Sequence, residues 1–380
     1  MLVEVIDRVT AVAPEAWDAL AGEHDPFIEH AFLAAFEGSG TVGGRSGWEP
    51  RHVLAWSGDR LVGALPLYLK DHSFGEFIFD WGWADAAFRA GIPYYPKLVG
   101  MAPVTPATGR RILIAPDVDT QPVVDELLAG ALDLAEAEDA SSLHLLFLND
   151  EERTLVDSTD RFLPRLSYQF HWHNRGYASF DDFLGTFRSA LRKQVRKERR
   201  RVADAPVRIE VLEGDDLEDA HWEALERFYR ITCARYGSPP YLTPAFFRLA
   251  RQHLAHRTVA VIAFEVGEPV AASLNFEKGA HLYGRYWGCT EEHDFLHFEL
   301  CYYRLIERAI DRGMRRFEAG AQGTHKLRRG LEPTPIHSAH WLRHPELSRA
   351  VSEFLPREAR AVRNTIEELA LHGPFRRDGT

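Results

Sequence analysis

Residues 53–70 read VLAWSGDRLVGALPLYLK, and residues 261–278 read VIAFEVGEPVAASLNFEK. Each stretch places two apolar runs around a short polar turn containing glycine, the pattern of a β-hairpin. Laid over one another, they bring their turn glycines within one position and align Val62-Gly63-Ala64 with Val270-Ala271-Ala272. A recurrence so widely spaced is no short-period solenoid; it predicts two copies of one α/β unit.

The flanking segments suit that plan. Pro14–Phe36 carries Trp17, Leu20, Phe32, Leu33 and Phe36 at helical spacing, and the glycine-rich break GSGTVGGRSG follows. Val124–Ala137 has helical periodicity, SSLHLLFL (141–148) reads as a buried strand, and WGWADAAFRAGIPYYPK (81–97) reads as loop. After the second hairpin come a strand HLYGRYWG (281–288), a helix from about Asp294 to Arg312, a strand RRFEAGA and a loop QGTHKLRRG. A strand HSAHWL and a helix from about Glu346 to Ala370 end the chain. The fold class is therefore α/β (mixed α+β) in two tandem halves, 1–175 and 176–345, followed by a C-terminal helix and tail, 346–380. Each half is expected to be a mostly antiparallel mixed sheet flanked by helices.

Composition narrows the function classes. The 380 residues are 45% hydrophobic and 27% charged, ordinary globular statistics, and no run approaches the ~20 apolar residues of a membrane span. The start MLVEVIDRVT lacks the features of a secretory signal, so the chain is expected to be cytoplasmic. Cys233, Cys289 and Cys301 have no Cys-x-x-Cys spacing and read as buried small hydrophobes. The net charge is -11, yet RSALRKQVRKERRRV (188–202) holds eight basic residues and one acid, Glu198. So acidic a chain does not present a duplex DNA surface; what it offers is one local anion site or a solvated charged helix. As a helix, this stretch and the turn before it put Leu184, Phe187, Leu191, Val195 and Val202 on one apolar stripe, with the cations on the other faces.

Chemistry concentrates between Leu282 and Lys326. In DFLHFELCYYRLIERAIDRG, Phe295, Tyr302, Ile306 and Ile310 share a helix face with Glu299. A carboxylate so surrounded is either a proton acceptor with a raised pKa or half of a buried ion pair, with Arg285 as a partner. Strand alternation sets Tyr283, Arg285 and Trp287 against Leu282, Gly284, Tyr286 and Gly288. Glycines there admit a ligand or a closely packed backbone. In FEAGAQGTHK a strand ends at Gly320 and Gly323 before His325 and Lys326, the place where open α/β sheets bind ligands, although a solvated loop has the same composition. His293 and His297 at i, i+4 lack the zinc-protease Glu, and neither they nor His171 and His173 have a third ligand at metal spacing, so no metal is assigned.

LYGRYWGCTEEHDFLHFELCYY, FEAGAQGTHKLRRG and ALRKQVRKERRRV, in their chain context, resemble the FemAB-like acyltransferases of peptidoglycan biosynthesis or recognition, a branch of the GNAT superfamily. The resemblance implies two GNAT-like halves and transfer of an acyl or aminoacyl group to an amine acceptor, such as a cell-wall precursor or another small molecule. It implies aminoacyl-tRNA or acyl-CoA as co-substrate, tRNA as a partner in the first case, and no tightly bound cofactor. Ordinary GNAT enzymes hold pyrophosphate in a glycine loop where this chain reads GCTEEHDFLH, acidic and without those glycines, which points to a donor held elsewhere. Glu299 or Glu318 is then the candidate base, Lys326, Arg285 or main-chain N–H groups near Gly320–Gly323 the oxyanion donors, and Tyr286 the acid for the leaving group. Arg285, Trp287, His297, His325 and Gln322 are candidate substrate contacts, joined by Arg192, Lys193 and Arg196 of the basic helix. A noncatalytic module binding phosphate-bearing precursors or RNA is the competing class, and a hydrolase using metal at His293 and His297 a third.

Overall fold

The computed structural model describes residues 1–291, 293–320 and 323–376. They form two compact units, one of Met1–Ser167 and Pro335–Asn364, the other of Tyr168–Thr334 and the C-terminal residues from Thr365.

The first unit carries β1 (Leu2–Ile6), β2 (Trp48–Pro50), β3 (His52–Ser57), β4 (Arg60–Leu65), β5 (Tyr68–Lys70), β6 (Lys97–Gly100), β7 (Leu113–Ile114) and β8 (Ser142–Leu148). β1, β3, β4 and β7 make an antiparallel sheet, whereas β2, β5 and β6 pair antiparallel and β6 then runs parallel to β8. Helix α1 (Thr120–Ala137) buries Val123, Val124, Leu127, Leu128 and Ala131 against the strands, and Gly63 is glycine because a Cβ there would meet Val123 at 2.5 Å.

The second unit takes the end of β9 (Leu163–His173), then α2 (Ser189–Ala203), β10 (Arg208–Glu213), α3 (Asp219–Arg235), β11 (Thr258–Glu265), β12 (Glu268–Lys278), β13 (His281–Cys289) and β14 (Arg316–Glu318). Its strand order is β10-β11-β12-β13-β14-β9, antiparallel except for the parallel pair β13 and β14.

The two hairpins are the same device. β3 and β4 shift register between Ala55 and Trp56, and β11 and β12 shift between Ala263 and Phe264, the same place in the sequence overlay. Each has an outer antiparallel neighbour that the sequence reading did not predict: Leu2 of β1 faces Trp56, and Arg208 of β10 faces Phe264. Each unit then reaches a parallel pair, β6 with β8 and β13 with β14. The copies part at Pro66, which has no N–H for a ladder; there the first hairpin ends and Tyr68–Lys70 joins the other sheet, while β12 continues to Lys278.

Three expectations are corrected. Residues 81–89 form a helix rather than a loop, with Trp83 and Ala87 buried one turn apart. The division falls at 167 rather than 175, and residues 335–342 of β15 (Glu332–Leu342) belong with the first unit, because His337–Leu342 pair antiparallel with β8. The helix expected from Asp294 starts at Leu296, since Phe295 sits at φ 64, and it includes a π-turn over Glu299–Tyr303 before continuing as Arg304–Asp311. The wider turn rotates later residues about the axis, so no single face runs from Phe295 to Ile310.

The first unit also encloses a charged cluster. Lys97 Nζ donates to Ser73 Oγ at 2.8 Å, Glu76 Oε2 at 2.9 Å and Asp80, whose carboxylate also accepts from Tyr94. Lys70 lies 3.6 Å from Glu76 and over the Trp48 ring, and all four charged side chains are at most 2% exposed. No helix among the described residues is long and apolar enough to cross a membrane.

Candidate active site

β13 and β14 pair only over His281–Tyr283 and Arg316–Glu318. Beyond Glu318 the chain stays with β9, where Ala319 N donates to Phe170 O and Gly320 O accepts from Phe170 N. β13 continues instead along β12 to Cys289, so the parallel pair opens at its carboxyl ends. The residues assembled around this opening come from β13, the helix with the π-turn, and the turn Thr324–Arg329.

Lys326 is 5% exposed. Its Nζ donates to Ala319 O and, at 3.0 Å, to Gly320 O, which also accepts from Phe170 N, just beyond the end of β14. Burial lowers its pKa to about 8, so it is mostly an ammonium at neutral pH and loses its proton as pH rises through that value. His325, half-buried beside it in sequence, places Nε2 3.0 Å from the Tyr302 hydroxyl. Burial, with Arg329 and Lys326 as like charges, lowers the His325 pKa and favours the neutral ring. Burial likewise brings His297 down to about 4. Gly323, at φ 99, supports the imidazole: a Cβ there would lie 2.4 Å from its Cε1.

Three predicted substrate contacts converge on this place. Trp287 packs on His297 with ring centroids 5.1 Å apart, and His297 lies 5.9 Å from His325. Gln322 lies outside the described residues. Arg285 and Tyr286 are directed differently from what strand alternation predicts, because β13 bulges there: Tyr286 faces Leu274 and Gly284 faces Asn275, leaving Arg285 as the inserted residue. Arg285 donates to the Tyr286 hydroxyl, and Tyr286 packs edge-on against Tyr229. The strand glycines serve close packing; a Cβ on Gly288 would sit 2.1 Å from the Phe228 carbonyl of α3.

Both predicted carboxylates are in ion pairs. Glu299, 3% exposed, meets Arg199 at 3.0 Å and Arg304 at 3.0 Å rather than Arg285. Burial pushes its pKa up while Arg199 pulls it down. Glu318, 2% exposed, pairs with Arg316 at 2.9 Å and lies 3.7 Å from His171. His293 sits 3.4 Å from Glu265, apart from the aromatic packing that engages His297, so the i, i+4 pair does not converge.

The basic helix α2 docks as its apolar stripe predicts, with Val195 and Val202 buried and Leu191 packed against the same core. Arg196 pairs with Asp181, Lys193 is exposed and Arg192 is half-buried. A cleft of about 660 Å³ runs beside the helix, lined by Arg196, Arg199, Arg200 and Arg304 but equally by Asp181, Glu299, Glu307 and Asp311. Sequence reasoning missed the helix's lone acid. Glu198 is buried and accepts from both the Tyr303 hydroxyl and Arg329 Nη2, the latter at 3.0 and 2.9 Å. Tyr302 and Arg329 were missed as well; the single acid inside a cationic run was the available signal for Glu198.

A family model described as FemAB-like, peptidoglycan biosynthesis/recognition, matches residues 8–377. Among solved structures, the crystal structure of FemX is similar at 11% identity and a TM-score of 0.54, over 92% of this chain and all of that one. The C-terminal domain of a putative lysylphosphatidylglycerol synthetase from Agrobacterium fabrum is similar at 8% identity and a TM-score of 0.51, over 92% of this chain and 96% of that one. At these identities the likeness is one of fold. By sequence, the chain matches no curated protein.

Proposed function

The chain belongs to the FemAB-like family of peptidoglycan biosynthesis/recognition and is a transferase, and we propose that it passes an acyl or aminoacyl group from an activated donor to an amine. The donor is aminoacyl-tRNA or acyl-CoA, and the acceptor a cell-wall precursor or another amine-bearing small molecule. One observation carries this proposal: a buried ammonium, Lys326, fixed on two main-chain carbonyls beside a neutral imidazole at the open end of a parallel strand pair.

In the proposed reaction the acceptor nitrogen attacks the ester or thioester carbonyl. Two Lys326 protons are committed to Ala319 O and Gly320 O, and the third is directed to the oxyanion that forms. With Nε2–H donated to the Tyr302 oxygen, His325 Nδ1 takes the proton that the amine loses. When the tetrahedral intermediate collapses, the C–N bond remains, the C–O or C–S bond breaks, and the imidazolium returns the proton to the leaving oxygen or sulfur. Glu299 and Glu318, each held by an arginine, shape the site in this scheme instead of acting as the base. Trp287 and His297 supply the aromatic wall against which the transferred group lies.

The acidic run before the helix, with Glu291 and Asp294 where ordinary GNAT enzymes have a pyrophosphate loop, favours charged tRNA over CoA. Of the exposed cations of α2, Arg196 and Arg201 lie against Asp181 and Asp294, and Lys193, Lys197 and Arg200 are the proposed phosphate contacts for such a donor. The test is transfer from alanyl-tRNA and from acetyl-CoA to a lysine-bearing cell-wall peptide, read by mass spectrometry. An amide formed by the native protein and lost in Lys326→Ala is expected; an undiminished yield in that variant contradicts the mechanism.

A further inference from the structure

The acid buried within the basic helix joins three elements at once. Glu198 of α2 is 4% exposed in its side chain, as is Arg329, and Arg329 Nη2 donates to both carboxylate oxygens, at 3.0 and 2.9 Å. Arg329 Nη1 also donates to His325 O at 2.8 Å, and its guanidinium lies over the Phe298 ring with 3.2 Å from carbon to centroid. The second oxygen of Glu198 accepts from Tyr303, the last residue of the π-turn. The next residue of α2, Arg199, bridges Glu299 at the start of that turn and Glu307 one helical segment later.

From this arrangement we infer that Glu198 and Arg329 are positioning residues, a buried pair by which α2 holds the His325–Lys326 turn against the π-turn of the neighbouring helix. A charge-assisted contact between a buried carboxylate and guanidinium is short and strong; here the carboxylate also accepts from Gln194 of α2 and from Tyr303, and Arg329 Nη1 holds the His325 carbonyl. A pair that served stability alone would not need a main-chain contact on the residue preceding Lys326, nor a hydroxyl from the turn that presents Tyr302 to His325. Arg329 is also a like charge on His325, whose ring faces Tyr302, His297 and Phe298 from the helix and Lys326 and Arg329 from its own turn. The inference rests on the acyl-transfer role proposed for Lys326, but its first test needs no substrate.

Competitive labelling with trace acetic anhydride measures the pKa and reactivity of an individual amine in the folded protein. Native Lys326 should label with a midpoint near 8. In Glu198→Gln and in Arg329→Lys, Lys326 should leave its two carbonyls and label with a midpoint shifted upward by at least one pH unit, while Glu198→Asp retains most of the native value. Thermal melting identifies the variants that remain folded, and the conservative Arg329→Lys and Glu198→Asp keep the comparison available where Glu198→Gln does not fold. A native labelling midpoint in every folded variant overturns the inference. Turnover separates this from failure of the functional proposal. A transfer activity lost in Lys326→Ala but unchanged in Glu198→Gln and Arg329→Lys refutes positioning alone, whereas activity retained in Lys326→Ala refutes the catalytic proposal. Where both hold, Arg329→Lys should lower kcat about tenfold with KM for alanyl-tRNA unchanged.

Discussion

Lys326 is the residue on which the proposed chemistry turns, and its surroundings fix the sign of the expected pH response. A lysine whose pKa is depressed to about 8 by burial is charged below that value and neutral above it. An ammonium stabilises an oxyanion far better than the neutral amine does, so kcat should fall as pH rises through about 8. Lys326→Ala should lower kcat by on the order of 10²–10³, the usual cost of losing one oxyanion donor; steady-state rates across pH 6–10 check both statements. Gly323→Ala should act through His325: its methyl would lie 2.4 Å from the imidazole at a φ of 99, so transfer should drop with little change in donor binding. His325, Lys326 and Trp287 of the candidate site could be nominated from sequence because polar and aromatic residues near the carboxyl ends of strands stand out from a core pattern. Tyr302 and Arg329 were not, since their roles depend on which segments meet, and a helix containing a π-turn does not present the faces that a 3.6-residue repeat predicts. The bulge at Arg285 misled the strand reading for the same reason, one inserted residue reversing the faces beyond it.

Among the elements, α2 works on two faces. Its buried side anchors the site through Glu198 and Arg199, and its exposed side carries Lys193, Lys197 and Arg200. Reversing these three charges should weaken charged-tRNA binding and flatten its dependence on salt, because each phosphate contact releases counterions. Filter binding at several salt concentrations measures this, and an unchanged slope would return that face to plain solvation. The amphipathic stripe of α2 could be read directly, since Val195 and Val202 follow helical spacing; the inward turn of Glu198 could not, because its being the lone acid of a cationic run marks it without saying which distant segments, Tyr303 and Arg329, it meets. β13 offers a second test. Gly288→Ala drives a methyl into the α3 backbone at Phe228, an overpacking expected to cost about 1–3 kcal/mol in urea unfolding.

At the scale of the molecule, the two copies of one α/β unit were readable in the overlaid hairpins, and their matched bulges at Ala55 and Ala263 carry the correspondence into the backbone. What the overlay did not reveal is how far the copies have diverged. The first unit breaks its hairpin at Pro66 and buries Lys97 among Ser73, Glu76 and Asp80, groups whose convergence depends on loops without periodicity. Lys97→Met leaves two carboxylates without their shared cation and should destabilise the protein by about 3–5 kcal/mol in urea unfolding. The second unit keeps an unbroken β12 and an opened parallel pair, and it holds the candidate site. The central claim, acyl transfer to an amine at Lys326, is tested most directly by single-turnover mass spectrometry with alanyl-tRNA or acetyl-CoA and a lysine-bearing cell-wall peptide. A new amide from at least one donor, present with the native chain and absent with Lys326→Ala, is the predicted result; no amide from either donor, or equal amide from that variant, would contradict it.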